Sequence, residues 1–202
     1  QRMICLAVSV LHLAGARAAE LVTASKAADL VLGAGDFCNH RQGLDDAMAL
    51  LDGINTPMVV VAGNAESADE LHAAARPGTT VLHGNGMALD GLHFFGLGYG
   101  VPTTPFGDWS CDLSEAEAEA LLAPCESADI LLLHSPPKGV ADETSTGISV
   151  VSKSILTAIE RIQPQLAVCG HIHDSWGVTG HIGRTQVVNL GPRPNWFDIS
   201  QS

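Results

Sequence analysis

Ile4-Cys5-Leu6-Ala7-Val8-Ser9-Val10, which stops two residues short of His12, is the stretch whose reading decides the fold. Its apolar residues run on rather than alternate, as in a strand covered on both faces. The same stretch has a rival reading. Arg2, the apolar run Met3–Leu13 and Ala16-Arg17-Ala18 imitate a short signal peptide with a small-residue cleavage site. The strand is preferred, because Ser9-Val10-Leu11-His12 belongs to a pattern that recurs along the chain.

Similar runs follow at Asp29–Leu32, Met58–Ala62 and Ile130–His134, each bounded by turn residues. Helical stretches are expected between them, near Ala14–Lys26, Leu44–Leu51, Ala68–Ala75 and Ser114–Leu122. Ser114 followed by Glu117 is a capping-box start. Strand and helix in repeated order predict an α/β domain. The middle differs: Thr80–His83, Met87–Asp90 and Leu92–Leu97 are short and separated by Gly or Asn-Gly, which predicts hairpins in a more antiparallel section. A helix over Ser149–Ile162 is then expected, followed by strands at Gln165–Cys169, Val178–Arg184, Thr185–Leu190 and Trp196–Ile199. No repeat or linker divides the chain, so residues 1–202 read as a single domain. The Gly/Pro/Thr-rich loops Gly96–Gly107 and Ser135–Gly147 are long enough to serve a site.

Composition excludes several classes of function. The chain is 46% apolar and 16% charged, as a globular protein is, and no apolar run is long enough to span a bilayer, which takes about 18–20 residues. A net charge of −12 argues against strong nucleic-acid binding, which needs a basic footprint. It leaves room for an anionic substrate, because divalent cations reverse the local field. Cys5, Cys38, Cys111, Cys125 and Cys169 form no CxxC pair and are expected to be reduced thiols in a cytoplasmic protein.

Five segments place metal-type ligands just after a strand-like run. These are His12, Asp36, Asn64, His134, and His171 with His173. In open α/β sheets the carboxyl ends of strands converge on one crevice, so residues remote in sequence meet there. Imidazole, carboxylate and amide oxygen form a mixed N/O set suited to Zn, Fe, Mn, Co or Ni. A lone His after a strand is usually structural. Gly170-His171-Ile172-His173 is a stronger signal, because imidazoles two residues apart beside a Gly turn can face two adjacent metals.

The series Val10-Leu11-His12, Gly35-Asp36, Gly63-Asn64-Ala65-Glu66, His134 and Gly170-His171-Ile172-His173 resembles the signature of the calcineurin-like metallophosphoesterases. That signature runs Asp-X-His, Gly-Asp, Gly-Asn-His-(Asp/Glu), a His after a strand, and Gly-His-X-His. The resemblance covers nearly the whole chain and looks closest to small cap-less bacterial and archaeal members. It implies a four-layer α/β/β/α sandwich with two mixed β-sheets. It also implies a small phosphoester substrate and two divalent transition metals. Asp36 would bridge them, His12 and His173 would hold the first, and Asn64, His134 and His171 the second. The implied reaction is hydrolysis of phosphomonoesters or phosphodiesters by a metal-bridging hydroxide, with Asp36 and Asn64 also in catalytic positions.

Two positions depart from the pattern. Val10 stands where the family has Asp and cannot ligate, which weakens the first site. Ala65 stands where many members have a His that protonates the leaving group, help typically worth about 10²–10⁴-fold. His40, on the loop after Asp36, is a candidate stand-in, although a surface role is the simpler expectation. The same two departures favour an alternative: a weak or inactive member that binds a protein partner, as a retromer subunit related to this family does. A secreted, non-enzymatic protein rests only on the signal-like N-terminus. Cys38 is expected to be an inert loop thiol rather than a reactive one. Asp45 and Asp46 suit a solvated helix start, Lys138 a solvated position, and Trp109 and Trp176 either the pocket or the core. His72, His83, His93 and His181 match no ligand pattern.

Overall fold

A computed structural model describes residues 2–140 and 152–201. The first run forms β1 (Arg2–Val8), and α1 (Gly15–Ser25) follows, so the signal-like stretch is strand, turn and helix. Next come β2 (Leu30–Gly33), α2 (Leu44–Ala49), β3 (Met58–Val60), α3 (Ala68–Ala74) and β4 (Thr79–Val81). The chain continues with β5 (Asn85–Leu89), β6 (Leu92–Leu97), α4 (Glu115–Leu122), β7 (Ile130–Leu133) and α5 (Lys153–Ile162). It ends with β8 (Leu166–Cys169), β9 (Thr179–Ile182), β10 (Thr185–Asn189) and β11 (Asn195–Ser200).

The strands make two sheets, in the orders β11-β1-β2-β3-β4 and β5-β6-β7-β8-β10-β9. Both are mixed: β1 to β4 run parallel with β11 antiparallel at the edge, and β6, β7, β8 and β10 run parallel between the antiparallel β5 and β9. Burial explains the continuous apolar runs. In β1, Met3, Cys5 and Ala7 point into a core shared with Phe94, Leu132, Val168 and Val188 of the second sheet. Leu6 and Val8 point the other way, toward Leu21 of α1 and Leu51. The second sheet repeats this, with Leu131, Leu133 and Ala167 facing Ala118 of α4 and Ile155 and Ile159 of α5. The result is the expected α/β/β/α sandwich.

Three expectations change. β1 stops at Val8 because Val10 adopts a φ of 58° and its N–H donates to Gly35 O, which turns the chain out of the sheet. Thr80–His83 is no hairpin strand; β4 is the parallel edge of the first sheet, paired with β3. Turn residues around it imitated a hairpin, whereas the real one is β5–β6, closed by Asp90-Gly91 at φ 50° and 79°. The last helix begins at Lys153 with Ser152 as its N-cap, while residues 149–151 of the expected helix lie outside the described residues, as does most of the loop Ser135–Gly147. The Ser114–Glu117 capping box forms at α4. Among the described residues no helix is long and apolar enough to cross a membrane.

Candidate metal centre

Each ligand-type residue follows a strand: His12 follows β1, Asp36 β2, Asn64 β3, His134 β7, and His171 and His173 β8. To converge, the chain must turn sharply at each strand end. Val10, His12, Asp36 and His171 all lie in the left-handed region, at φ 58°, 44°, 59° and 66°. Such residues cost about 1–3 kcal/mol each and cluster where function requires them. The glycines before the ligands have a steric reason. A Cβ on Gly35 would overlap the Gly63 backbone, and one on Gly63 would overlap the Asp36 carboxylate. Gly-Asp and Gly-Asn are therefore two halves of one close contact.

Asp36 is central and 3% exposed. With His12 and His173 it offers three ligand atoms within 4.8 Å of one another, and it does the same with His134 and His171. His134 Nε2 lies 3.5 Å from Asp36 Oδ2, and His12 Nε2 lies 3.8 Å from it. The imidazoles are oriented from behind. His134 Nδ1 donates to Ala34 O at 2.7 Å, and His12 Nδ1 to Cys38 O at 2.9 Å. Each carbonyl accepts from the ring's Nδ1–H, which turns Nε2 toward Asp36, as the rings of ligating histidines are usually held. Burial holds His171 down at about 3, helped by its neighbour His134, so its ring is neutral at ordinary pH. Burial would raise Asp36, but His134, His171, His12 and the Ala65 N–H outweigh it and hold the carboxyl low. Imidazoles turned inward around a shared carboxylate fit divalent transition metals.

Asn64 joins the second group. Its Oδ1 lies 3.1 Å from His134 Nε2 and 3.2 Å from His171 Nδ1, while its Nδ2 donates to Ser110 Oγ at 3.0 Å. The reversed amide would instead aim Nδ2 at His134 Nε2, His171 Nδ1 and both Asp36 oxygens, 3.1 to 3.3 Å away, and would need a proton from Ser110. Ser110 has one proton, and it donates to Asp112 Oδ1 at 2.9 Å; Thr104 Oγ1 occupies Oδ2 at 2.7 Å. A carboxylate only accepts, so Ser110 can offer Asn64 nothing but lone pairs. The chain Asp112–Ser110–Asn64 thus turns the amide oxygen inward, where a cation needs it.

Sequence reasoning assigned no role to Ser110, Asp112 or Glu66. Glu66 is fully buried and accepts from the N–H groups of Asp36, Phe37, Cys38 and Gly63 at 2.9, 2.7, 3.2 and 2.6 Å. It ties the Asp36 turn to the Gly63 turn. Burial, with Asp36's charge adding to it, pushes its carboxyl up to about 7. A signal was present, since Glu66 occupies the acidic position of the Gly-Asn motif. Ser110 and Asp112 left none, because a lone Ser beside a Trp matches no motif.

The other candidates fall into place. His40 is exposed but lines the crevice, its ring 4.1 Å from that of Trp109. Ala65 also lines it, and its N–H donates to Asp36 Oδ1 at 3.0 Å. Val10 is 2% exposed and supplies no ligand atom. Cys38 is buried, donates to Ala65 O, and is pushed up to about 12 by burial and by Glu66, as an inert thiol should be. Trp176 belongs to neither expected place. It is 41% exposed and packs against His173, 4.9 Å between ring centroids, because the short turn after β8 keeps it at the surface. Asp45 and Asp46 are exposed at the start of α2, and Lys138 is exposed. His83 is structural, with Nδ1 accepting from Gly98 N.

Ligand-type side chains thus converge at the strand ends of a two-sheet α/β sandwich, in two groups that could hold a metal ion. Residues 3–200 match the calcineurin-like phosphoesterase superfamily domain, and the chain belongs to that superfamily. It is 29% identical over 161 residues to a UPF0046 protein of Caenorhabditis elegans, covering 75% of this chain and 40% of that one. It is 37% identical over 97 residues to human metallophosphoesterase domain-containing protein 1, covering 45% and 29%. The chain thus spans less than half the length of these curated relatives. The structure of TT1561 of Thermus thermophilus superposes with a TM-score of 0.76 at 15% identity, over 99% of this chain and 100% of that one. A dimetal phosphatase from Danio rerio gives 0.61 at 13% identity, over 97% and 91%. At these identities the likeness is one of fold.

Proposed function

We propose that the chain hydrolyses phosphomonoesters or phosphodiesters at a two-metal centre. His12, Asp36 and His173 would hold one cation, and Asp36, Asn64, His134 and His171 the other. The observation that carries this reading is the pair of ligand groups sharing Asp36. Two divalent cations there would supply positive charge for the phosphoryl oxygens and a water made acidic enough to react at neutral pH. The protein's own contribution is to fix the ligands. Ala34 and Cys38 carbonyls set the His134 and His12 tautomers, Asp112 and Ser110 set the Asn64 amide, and Glu66 holds the Asp36 turn. His40, at the edge of the crevice, is the side chain available to protonate a leaving group. The acidic surface argues for a small substrate rather than a nucleic acid. Free thiols at all five cysteines suit a reducing compartment, and we place the chain in the cytoplasm.

The test combines metal content with turnover. Protein purified without chelator should carry at least about one transition metal per chain, since three or four protein ligands make a competent site. With Mn²⁺ it should hydrolyse bis(4-nitrophenyl) phosphate, and Asp36→Asn and His171→Ala should both fall to background. Wild-type turnover in either variant, or protein that stays empty in excess metal, sinks the reading. Val10 and Ala65 favour a second one, a weak enzyme kept as a scaffold for a protein partner. Metal binding without turnover on any ester would select it.

A further inference from the structure

The crevice has a second side that the metal reading does not use. It encloses about 280 Å³, a volume suited to a small substrate. Phe106 and Trp109, from the long Gly/Pro/Thr-rich loop and the segment just after it, line it together with the ligands. Their rings are nearly parallel, 8° apart in tilt and 5.9 Å between centroids. The far side of this surface carries His40, 4.1 Å from Trp109. The near side reaches the metal ligands, since Phe106 meets His171 edge-on at 6.3 Å. Phe106 is 53% exposed at the mouth of an otherwise polar site. A single exposed Phe is ordinary. Held in an offset stack on Trp109 and edge-on to His171, Phe106 forms an exposed apolar wall beside the candidate metal ligands. Among the described residues no Lys or Arg lines the crevice, so nothing there is suited to a second phosphate group.

Building on the function proposed above, we infer that this wall stacks the organic half of the substrate, which is a flat aromatic or heteroaromatic ring joined to the phosphoryl group. Every such ring offers a π-face, and stacking on an aromatic side chain contributes about 1–3 kcal/mol, or roughly fivefold to hundredfold in affinity. An aliphatic phosphoester of the same charge gains little from the wall.

The test needs no turnover. Metal-loaded protein is titrated with phenylphosphonate and with methylphosphonate, neither of which has an ester bond to break, and binding is followed calorimetrically. The phenyl compound should bind at least about tenfold more tightly, a preference one stacked ring supplies. Phe106→Ala should bring the ratio of the two affinities toward one, and Phe106→Tyr, which keeps the ring, should preserve it. Equal affinities in the parent, or a Phe106→Ala variant that keeps the full ratio, overturn the inference while the metal reading stands. Binding of neither compound, by protein that also takes up no metal, overturns both together.

Discussion

Val10→Asp tests the largest departure from the expected ligand set. The backbone favours the change. At φ 58° a β-branched residue is strained, whereas Asp and Asn tolerate the left-handed region, so relief on the order of 1 kcal/mol is expected. Burial opposes it. Val10 is 2% exposed, and removing its side chain from the core forfeits about 1.5 kcal/mol. Val10→Asn should therefore be nearly neutral. Val10→Asp adds a carboxylate beside Gly170, in a crevice that already holds Asp36, and without a cation should cost several kcal/mol by desolvation and repulsion. Excess metal reverses the balance, because free cation at 100 times its Kd stabilises by about 2.7 kcal/mol. The assay is thermal unfolding of parent, Val10→Asn and Val10→Asp, each with chelator and with saturating Mn²⁺, plus metal content and turnover. Val10→Asp should show the largest metal-induced rise in Tm, occupancy moving toward two per chain, and a gain of at least about tenfold in rate, which needs only about 1.4 kcal/mol off the barrier. A folded variant that binds no more metal than the parent refutes the assignment of position 10. One that binds two metals yet hydrolyses nothing leaves the assignment intact and selects the scaffold reading.

Three further outcomes are expected. Glu66→Ala strips four buried N–H groups of their acceptor and should lower stability in urea by about 3–5 kcal/mol; a loss under about 1 kcal/mol would mean that the Asp36 turn holds itself. Ser110→Ala frees the Asn64 amide and should weaken metal binding by about tenfold or more, while Ser110→Thr keeps the hydroxyl and the affinity; equal titration curves for Ala and Thr would refute the relay from Asp112. In metal-free protein, burial holds His171 at about 3 against 6.5, so the unfolded chain binds the extra proton and stability falls as pH drops from 6.5 toward 3. Glu66, raised from 4.5 to about 7 by burial, acts in the opposite sense, losing stability as pH rises through that window. Stability should therefore be nearly flat between pH 4.5 and 6.5 and fall below 4.5, where His171 acts unopposed and Asp36, held low, starts to protonate. His171→Asn should soften that acid limb, and equal stability at pH 3.5 and 6 in the parent would refute the balance.

What could be read from the sequence divides along physical lines. The β1 run and its parallel partners were legible because strands buried on both faces must be apolar throughout, and the structure sends Cys5 and Leu6 to different cores. The convergence of the candidate ligands was legible because strand ends in such a sheet meet at one crevice, and turn geometry leaves Gly beside each of the Asp36, Asn64 and His171 positions. β4 was misread because Gly and Asn around a short strand mark a chain reversal without saying which sheet the strand joins. Ser110 and Asp112 were silent because their role depends on where one proton goes, and that follows from distances rather than from residue type. Phe106 was silent because an apolar residue in a Gly/Pro-rich loop has no periodicity to reveal which way it faces.

The energetics of the crevice also separate the two readings of function. Asp36 and Glu66 are both buried, and each opposes the other's charge. Five non-glycine residues there, Val10, His12, Asp36, His40 and His171, sit in left-handed conformations, together costing roughly 5–15 kcal/mol, comparable to the whole stability of a domain. A surface used only to bind a protein partner gains nothing from this arrangement, because its buried carboxylates and inward-turned imidazoles never reach the partner. Divalent cations would offset the negative charge there and take up the Nε2 and amide-oxygen positions that Ala34, Cys38 and Asp112 orient. The cost is concentrated where a cation would offset it. Val10 supplies no ligand atom on one side of this arrangement, while the Asn64, His134 and His171 side is whole, so on the proposed reading it would weaken one cation site rather than the case for metal binding.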